Sequence, residues 1–437
     1  MYRAFLAISL LGVFLLTFGY FYRKYKDFFH PMCFFSILSI LRYVPSIFSA
    51  TEDNFVLLTE DGLTQFVVLT SFYVVCVILG YYIFSRMNNP RVSLLFQGNI
   101  NDKMFGIGLS LFVIGVLSRL YFIYTTGGLL YILSNIQNKV EMVTGNGYLL
   151  AIGNFMTYGI VLMMCSDFYK QRRNILINSF LFLCIGTSFF LFAFMSDRTA
   201  PMRFLMIVIM AYHYNFNRIK LSSIIKPKSI MLILSLAIFI VAMPLLRNKD
   251  GFNKYGSVST LFEHASEEIG NIFYWFSYTG RDVFVYEHFD MSNYWGGKNI
   301  LNFISAPIPA SIMKDKPPVD EGYYLANLIK GYESSPPETV FPYKSSIPFD
   351  NQGAMYANFG VLGLIIGGII VGIVYGYTYK LLVSNNFHPL FVVIAQIILY
   401  NFSLTSHDMV NVLLLIGFMM LPLLLTRTLL FKRVIFE

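Results

Sequence analysis

The sequence predicts an all-α integral membrane protein with about eleven transmembrane helices and one large loop outside the membrane. Three features predict this class: scarcity of charge, long apolar runs, and uneven placement of basic residues between alternate connections. Charged residues make up 13% of the chain and hydrophobic residues 56%, whereas soluble domains average about a quarter charged residues. With a mean hydropathy of +0.61, the composition excludes an ordinary water-soluble fold.

Runs of roughly 17–25 apolar residues are long enough to span the hydrocarbon core of a bilayer. The chain contains such runs at 4–22, 31–50, 63–85, 104–124, 148–168, 174–195, 201–217, 229–246, 353–379, 390–406 and 409–427. The first run has no small-residue cleavage site before its basic flank, so we interpret it as a retained span rather than a signal peptide.

The orientation follows from the basic residues, which are enriched in short cytoplasmic connections. One set of alternate connections holds 17 of the 32 lysines and arginines, whereas the opposite short connections hold only Arg3, Lys139 and Arg198. We therefore expect an external N-terminus and a cytoplasmic C-terminus. The predicted organisation is spans one to eight in 1–246, a large extracytoplasmic loop in 247–352, and spans nine to eleven in 353–437.

The large loop differs in composition from the rest of the chain. It holds nine bases, thirteen acids, both tryptophans and eight of the sixteen prolines. Long loops cross the membrane largely regardless of charge, so this segment does not disturb the predicted topology. Loops longer than about 15 residues in compact proteins are functional or disordered, and the aromatic content here favours an ordered functional element.

Composition and missing motifs also exclude several function classes. The net charge of +8 does not indicate nucleic acid as a partner, because the bases lie in the cytoplasmic connections. The four cysteines lie in apolar runs, which favours packing over a disulfide framework or a zinc site. The chain has no Gly-rich phosphate loop, HExxH, CxxC or Asp-x-Asp motif, which disfavours a nucleotide-driven enzyme and gives no reason to expect a metal.

Several arginines lie within or beside the predicted outer ends of spans: Arg42, Arg119, Arg198, Arg203 and Arg247. An arginine in a span costs on the order of 2.5–3.5 kcal/mol unless it faces protein or water. One interpretation is snorkelling to nearby headgroups. The alternative is an anion site, because the planar guanidinium matches the oxygens of a lipid phosphate or diphosphate.

Two further segments carry candidate chemistry outside the membrane. Arg281 and Asp282 are neighbours in the loop and can hold a phosphate and orient a hydroxyl, or form a surface salt bridge on an interfacial helix. His407 and Asp408 occupy the last outer turn, where they can supply a general base or form a hydrated turn in which Asp408 caps a helix. By contrast, the repeat Gly368, Gly372 and Gly376 predicts a smooth face for helix packing.

The order of these features resembles a known family. A short outer turn (Ser196 to Thr199) precedes a long outer loop that contains Gly280-Arg281-Asp282. An Ile-Pro to Lys-Pro stretch follows, from Ile308-Pro309 to Lys316-Pro317. The next span then opens on a Tyr-x-Asn-Phe-Gly motif, Tyr356 to Gly360. This layout is similar to that of the Wzy-type O-antigen and capsule repeat-unit polymerases, including the enterobacterial common antigen members. The resemblance covers roughly residues 100–427.

The resemblance implies a GT-C-like membrane glycosyltransferase of the bacterial inner membrane, acting in lipopolysaccharide or capsule biosynthesis. Such an enzyme transfers a glycan from undecaprenyl diphosphate to the terminal sugar of a fresh lipid-linked repeat unit, with membrane lipid and a chain-length regulator protein as further partners and without metal or cofactor. Arg198 and Arg281 would stabilise the departing diphosphate, and Asp282, His407 and Asp408 are the candidate bases. The expected substrate-binding residues are Arg42, Arg119, Arg203, Arg247, Lys316 and Tyr356.

Two other functions stay open at this point. A related O-antigen ligase moves the finished glycan to another acceptor and has similar spans and a similar outer loop. A flippase or other transporter of lipid-linked oligosaccharides should instead place ionisable residues near mid-bilayer and show paired halves. The one-sided basic residues and the 106-residue loop favour chemistry at the outer surface.

Overall fold

A computed structural model of the chain describes residues 1–49, 52–53, 56–86, 103–135, 146–172, 174–194, 199–224, 277–308 and 312–430, together with 142, 226, 227 and 231. In this part the chain is mainly helical. The elements are α1 (Tyr2–Tyr25), α2 (Pro31–Ser49), β1 (Glu52–Asp53), β2 (Val56–Leu57), α3 (Glu60–Arg86), α4 (Lys103–Thr125), α5 (Leu129–Ser134), α6 (Gly147–Gly153), α7 (Phe155–Cys165), α8 (Asp167–Gln171), α9 (Ile175–Ala193), α10 (Thr199–Asn215), α11 (Leu221–Ile224), α12 (Thr279–His288), α13 (Ile300–Ser305), α14 (Gly322–Ile329), α15 (Asn351–Ser384), α16 (Pro389–Asn401) and α17 (Ser406–Leu430).

Seven helical stretches among the described residues are long and apolar enough to cross a membrane. They are α1, α2, α3, α4, the run Gly147–Cys165 formed by α6 and α7, α9, and α15. The apolar helices α16 and Ser406–Phe418 of α17 are shorter, as is α10 with 17 residues. The predicted span 229–246 lies outside the described residues except for residue 231. The chain is therefore a mainly helical, membrane-embedded protein.

The chain divides into two compact units. Unit 1 comprises Met1–Pro90, Phe273–Leu381 and Asn401–Leu414, and unit 2 comprises Arg91–Ile272, Leu382–Tyr400 and Leu415–Glu437. Unit 1 thus combines the first three helices with the described part of the predicted large loop and most of α15. Unit 2 contains α4–α11 and α16.

Glycines bring α3 and α15 together in unit 1, as the sequence predicts for the Gly368–Gly372–Gly376 repeat. A Cβ at Gly368 would lie 2.6 Å from the Cβ of Cys76, and one at Gly372 would overlap the carbonyl oxygen of Val77. Gly80 of α3 makes the reciprocal contact, because a Cβ at Gly80 would overlap the carbonyl oxygen of Ile369 in α15. The two helices therefore pack at backbone distance.

The N-terminal part of α15 is joined to the loop by backbone hydrogen bonds. The N–H of Trp295 donates to the carbonyl of Ala357 at 2.9 Å, and that of Gly296 to Asn358 at 3.0 Å. Gly360 has φ 58° and ψ −139° and interrupts the helix, and Tyr294 occupies the space where a Cβ would be. A residue without a side chain is therefore required where the loop meets the span.

Unit 2 is built on the close pair α4 and α7. A Cβ at Gly108 of α4 would lie 2.7 Å from the carbonyl oxygen of Gly159, so the two helices cross at backbone distance. One buried cluster next to this pair consists of Phe122, Ile132, Leu149 and Phe194.

The mainly helical class is confirmed, and the described residues add one short antiparallel ribbon of β1 and β2, which pairs Glu52 with Leu57 and Asp53 with Val56. The structure corrects the predicted spans in two details. The span predicted at 148–168 ends as helix α7 at Cys165, where Ser166 turns extended and caps α8 by accepting from the N–H of Tyr169. The span predicted at 353–379 is not one regular helix, because α15 breaks at Gly360. All four cysteines are free and buried.

Candidate anion-binding site

The C-terminal half of α2 holds the loop helix α12 in unit 1. Two carbonyls of α2 accept hydrogen bonds from the loop: the N–H of Tyr278 donates to the carbonyl of Arg42 at 3.1 Å, and the hydroxyl of Thr279 donates to that of Tyr43 at 2.9 Å. The start of α12 is thereby fixed against a membrane span.

This contact brings two of the predicted arginines to one aromatic ring. The guanidinium carbon of Arg281 lies 4.3 Å from the ring centroid of Tyr278, and that of Arg42 lies 5.3 Å from the same centroid. Both distances are within the roughly 6 Å at which a cation is attracted to an aromatic face. Arg281 also donates to the carbonyl of Pro348 at 3.1 Å. Two half-buried positive charges therefore converge on one small region, which we call the arginine pair.

A pair of buried carboxyl groups lies next to the arginine pair. Asp282 and Asp350 are 1% and 5% exposed. The amide of Gln352 donates to Asp282 at 2.6 Å, and the hydroxyl of Tyr43 donates to Asp350. Asp350 also caps α15 by accepting from the N–H of Gly353 at 2.8 Å. Each carboxyl group thus has defined partners on α2, α12 or α15.

Burial, and next the charge of Asp350, raise the pKa of Asp282 well above its usual range, and a hydrogen bond between the two carboxyl groups acts in the same direction. The nearby Arg281 guanidinium opposes this shift. Two carboxylates in a dry site cannot both ionise cheaply. The carboxyl group of Asp282 is therefore harder to ionise than one in water, and the Arg281 guanidinium is the nearby positive charge that favours its ionised form.

The turn 402–408, predicted to be the last outer turn, also belongs to unit 1. The side chain of Asn351 accepts from the N–H of Leu404 at 2.6 Å and donates to the carbonyl of Phe402 at 3.4 Å. Burial raises the pKa of Asp408, and the charges of His407 and, to a smaller extent, Arg42 oppose this shift. His407 is exposed, and its Nε2 lies 2.8 Å from the amide nitrogen of Asn411. Of the predicted site residues, Arg42, Arg281, Asp282, His407 and Asp408 all lie in unit 1.

Glu321, in the segment predicted as the large loop, is a further buried carboxyl group, 1% exposed. It accepts from the amide of Asn299 at 2.7 Å, from the hydroxyl of Ser406 at 2.7 Å and from the N–H of Ser406 at 3.1 Å. Burial raises the pKa of Glu321 to about 7, although the hydrogen bonds from Ser406 and Asn299 act in the opposite direction.

Two other predicted arginines lie in unit 2. The Arg119 guanidinium lies 4.9 Å from the ring centroid of Phe192 and donates to the carbonyl of Leu150 at 3.4 Å. Arg203 lines a cavity of about 20 Å³ with Phe192, Asn154 and Thr157 among its neighbours. This volume holds about one water molecule, which is too little for a phosphate in the present arrangement.

The remaining predicted residues are placed as follows. Arg198 and Arg247 lie outside the described residues. The ammonium group of Lys316 donates to the carbonyls of Ala306 and Ile308, at 2.7 and 2.9 Å, so it holds the loop's own backbone. Tyr356 is 6% exposed and packs edge-on against Tyr286, with ring centroids 4.7 Å apart.

Sequence reasoning missed Tyr278, Asp350 and Glu321. Tyr278 stands two residues before the Gly280-Arg281-Asp282 segment, and Asp350 lies at the end of the predicted loop, just before the span that opens on Tyr356 to Gly360. The sequence also marks Asp350 as a candidate N-cap, because it stands just before a long apolar helix. Glu321 has no comparable signal, because its partners Asn299 and Ser406 are 22 and 85 residues away in the chain.

Neither a protein-family model, nor a curated protein, nor a solved structure matches this chain. Within the described ranges, no group of three or more His, Cys, Asp or Glu side chains is arranged to hold a metal ion.

Proposed function

We propose that this protein is a polysaccharide polymerase that joins undecaprenyl-diphosphate-linked oligosaccharide repeat units at the outer face of a bacterial inner membrane. The observation that carries the proposal is the arginine pair, Arg42 and Arg281 on the ring of Tyr278, beside the buried carboxyl groups of Asp282 and Asp350. The resemblance to the Wzy-type polymerases in the order of sequence motifs supplies the substrate class.

The arginine pair suits a diphosphate leaving group. Two guanidinium groups offer planar, permanently charged donors to phosphate oxygens. Negative charge grows on the diphosphate as its bond to the sugar breaks, and donors already oriented toward that charge stabilise the transition state by several kcal/mol. Stacking on Tyr278 and the bond from Arg281 to Pro348 hold these donors in place before the substrate arrives.

The proposed reaction is one glycosyl transfer. A sugar hydroxyl of the acceptor repeat unit attacks the anomeric carbon of the donor glycan, a new glycosidic bond forms, and the bond to the diphosphate oxygen breaks. The electron pair leaves with the undecaprenyl diphosphate, and the hydroxyl proton passes to a base in the last outer turn. His407 and Asp408 are the two candidates for that base.

Asp282 receives a different role from the one expected from its sequence. Because it is 1% exposed and its pKa is raised by burial and by the charge of Asp350, we assign it to the support of Arg281 rather than to proton transfer from substrate. Arg119, Arg198, Arg203, Arg247, Lys316 and Tyr356 remain predicted participants, with Arg198 retained as a second diphosphate ligand.

The proposal includes the predicted topology. Eleven spans with an external N-terminus and a cytoplasmic C-terminus would put the loop 247–352, the arginine pair and the last turn on the outer face. The reaction itself would need neither nucleotide nor metal, because the lipid diphosphate already activates the donor.

The experiment that tests this function is deletion of the gene, with the length of the surface glycan analysed on a gel. Loss of a polymerase leaves a single repeat unit on the acceptor, whereas loss of a ligase leaves unattached polymer and loss of a flippase leaves neither product. Complementation by the wild-type gene should restore the ladder, and complementation by an Arg281→Ala variant should not. A normal ladder in the deletion strain would refute the proposal.

A further inference from the structure

Three segments of unit 1 meet at the buried side chain of Glu321. Asn299 precedes α13, Glu321 precedes α14, and Ser406 begins α17. The Ser406 hydroxyl carries one proton but has two acceptors in range, Glu321 at 2.7 Å and the carbonyl of Asn299 at 2.9 Å. Together with the Asn299 amide and the Ser406 N–H, these bonds tie the outer loop to the last outer turn.

The last outer turn is therefore held from two sides. Asn351 binds its first half, at Phe402 and Leu404, and Glu321 binds its second half, at Ser406. The next two residues are His407 and Asp408, and Asp408 lies within the electrostatic reach of Arg42. A displacement of Ser406 would carry both candidate bases away from the arginine pair.

We propose that Glu321 is a positioning residue: its carboxylate fixes Ser406, and through Ser406 it sets the position of His407 and Asp408 relative to the arginine pair. This inference rests on the proposed function for its effect on catalysis, but the anchoring itself does not depend on any substrate. The ionised carboxylate holds the turn more firmly than the neutral acid, because charge-assisted hydrogen bonds are about twice as strong as neutral ones.

The charged and titratable groups of the three segments are few. Asp320 adjoins Glu321, Lys298 adjoins Asn299, His407 and Asp408 follow Ser406, and Tyr324 lies one turn along α14. Asp320 contributes to the raised pKa of Glu321, which burial brings to about 7. The turn should accordingly be held less firmly at pH 6 than at pH 8.

The first test is the pH profile of glycosyl transfer by the purified full-length protein and its Glu321→Gln variant. Glutamine has the shape of the protonated acid but cannot ionise, so the ratio of wild-type to variant kcat should be near one at low pH. It should rise with a midpoint at about pH 7, and taking the ratio removes the titration of other groups. Glu338→Gln, an exposed acid of the same loop, should give a constant ratio. A constant ratio for Glu321→Gln would overturn the proposal.

The second test needs no activity. A cysteine replacing Thr405, which adjoins Ser406 and is 3% exposed, is labelled with a maleimide in the otherwise wild-type protein and in Glu321→Ala, Glu321→Gln and Glu338→Gln backgrounds. We expect Glu321→Ala to speed labelling about tenfold through local opening, Glu321→Gln to have a smaller effect, and Glu338→Gln none. Equal labelling in all four proteins would overturn the anchoring.

The two tests separate the inference from the proposed function. If the wild-type protein transfers no sugar, the proposed function fails, while the labelling rates still decide whether Glu321 anchors the turn. If transfer occurs and Glu321→Ala lowers kcat about a hundredfold with little change in KM, the positioning role is supported. A Glu321→Ala protein with wild-type kcat and wild-type labelling would refute it.

Discussion

Replacing Tyr43, the neighbour of Arg42, with phenylalanine removes one hydroxyl group and leaves the ring in place. The hydroxyl donates to Asp350, which is 5% exposed, so water cannot substitute freely for the lost donor. Hydrogen bonds to charged groups contribute about 1.5–3 kcal/mol. Asp350 keeps its bond from Gly353, so we expect Tyr43→Phe to lower the free energy of unfolding by about 2 kcal/mol, roughly a 30-fold change in the unfolding equilibrium.

Tyr73→Phe is the matched control. Tyr73 is also buried, with 3% exposure, but its hydroxyl has no hydrogen-bond partner among the residues that the structure describes. Removing an unsatisfied buried hydroxyl costs nothing or stabilises slightly. Both variants can be unfolded with SDS in mixed micelles and followed by fluorescence, since Trp295 is buried against Phe289 and Phe349. Equal free energies of unfolding for the two variants would refute the assigned Tyr43–Asp350 contact.

Three further outcomes follow from the site, the helix packing and the topology. Arg281→Ala should abolish chain extension at normal protein level, and Arg281→Lys should restore little of it, because an ammonium group cannot make two parallel bonds to phosphate. Lys170 is an exposed base of α8, and its Lys170→Ala variant should extend chains normally. Full-length polymer from the Arg281→Ala strain would exclude the diphosphate role. Gly372→Ala should lower the midpoint of SDS unfolding, because the new Cβ overlaps the Val77 carbonyl. Gly12→Ala should leave the midpoint unchanged, because a Cβ at Gly12 meets no described atom within 4 Å. Equal midpoints for the two variants would contradict the α3–α15 contact. A cysteine at the exposed position Glu333 should react with a membrane-impermeant maleimide added outside the cell and one at Arg172 should not, and the reverse pattern would invert the proposed topology.

Much of the fold was predictable because local composition determines it. Apolar runs of span length reflect the thickness of a bilayer, and seven of them correspond to helices of that length. The glycine repeat of α15 predicted a close helix contact. The partner helix is α3, which contributes Gly80 to the same contact. The break at Gly360 was not predicted. The side chain of Tyr294, 66 residues earlier in the chain, occupies the space beside Gly360, and this contact forms only in the folded protein.

The candidate site was predictable in its residue types but not in its grouping. Arginines near the outer ends of spans were visible in the sequence, yet nothing local indicates that Arg42 and Arg281 share the ring of Tyr278 while Arg119 stacks on Phe192 in unit 2. Asp282 was expected to contact a hydroxyl, but its environment is set by Asp350 and Gln352, which approach it through tertiary folding. Burial of a carboxyl group is a property of the folded chain and cannot be inferred from its sequence neighbours.

The most direct measurement is elongation of lipid-linked repeat units by the purified protein, in EDTA and without added nucleotide. Wild-type protein should convert undecaprenyl-diphosphate-linked units into a ladder of longer glycans and release undecaprenyl diphosphate, one molecule for each bond formed. The Arg42→Ala and Arg281→Ala variants should form no ladder. Absence of elongation by folded wild-type protein, or a strict requirement for nucleotide, would contradict the proposed function, and a strict requirement for a divalent cation would contradict its metal-free mechanism.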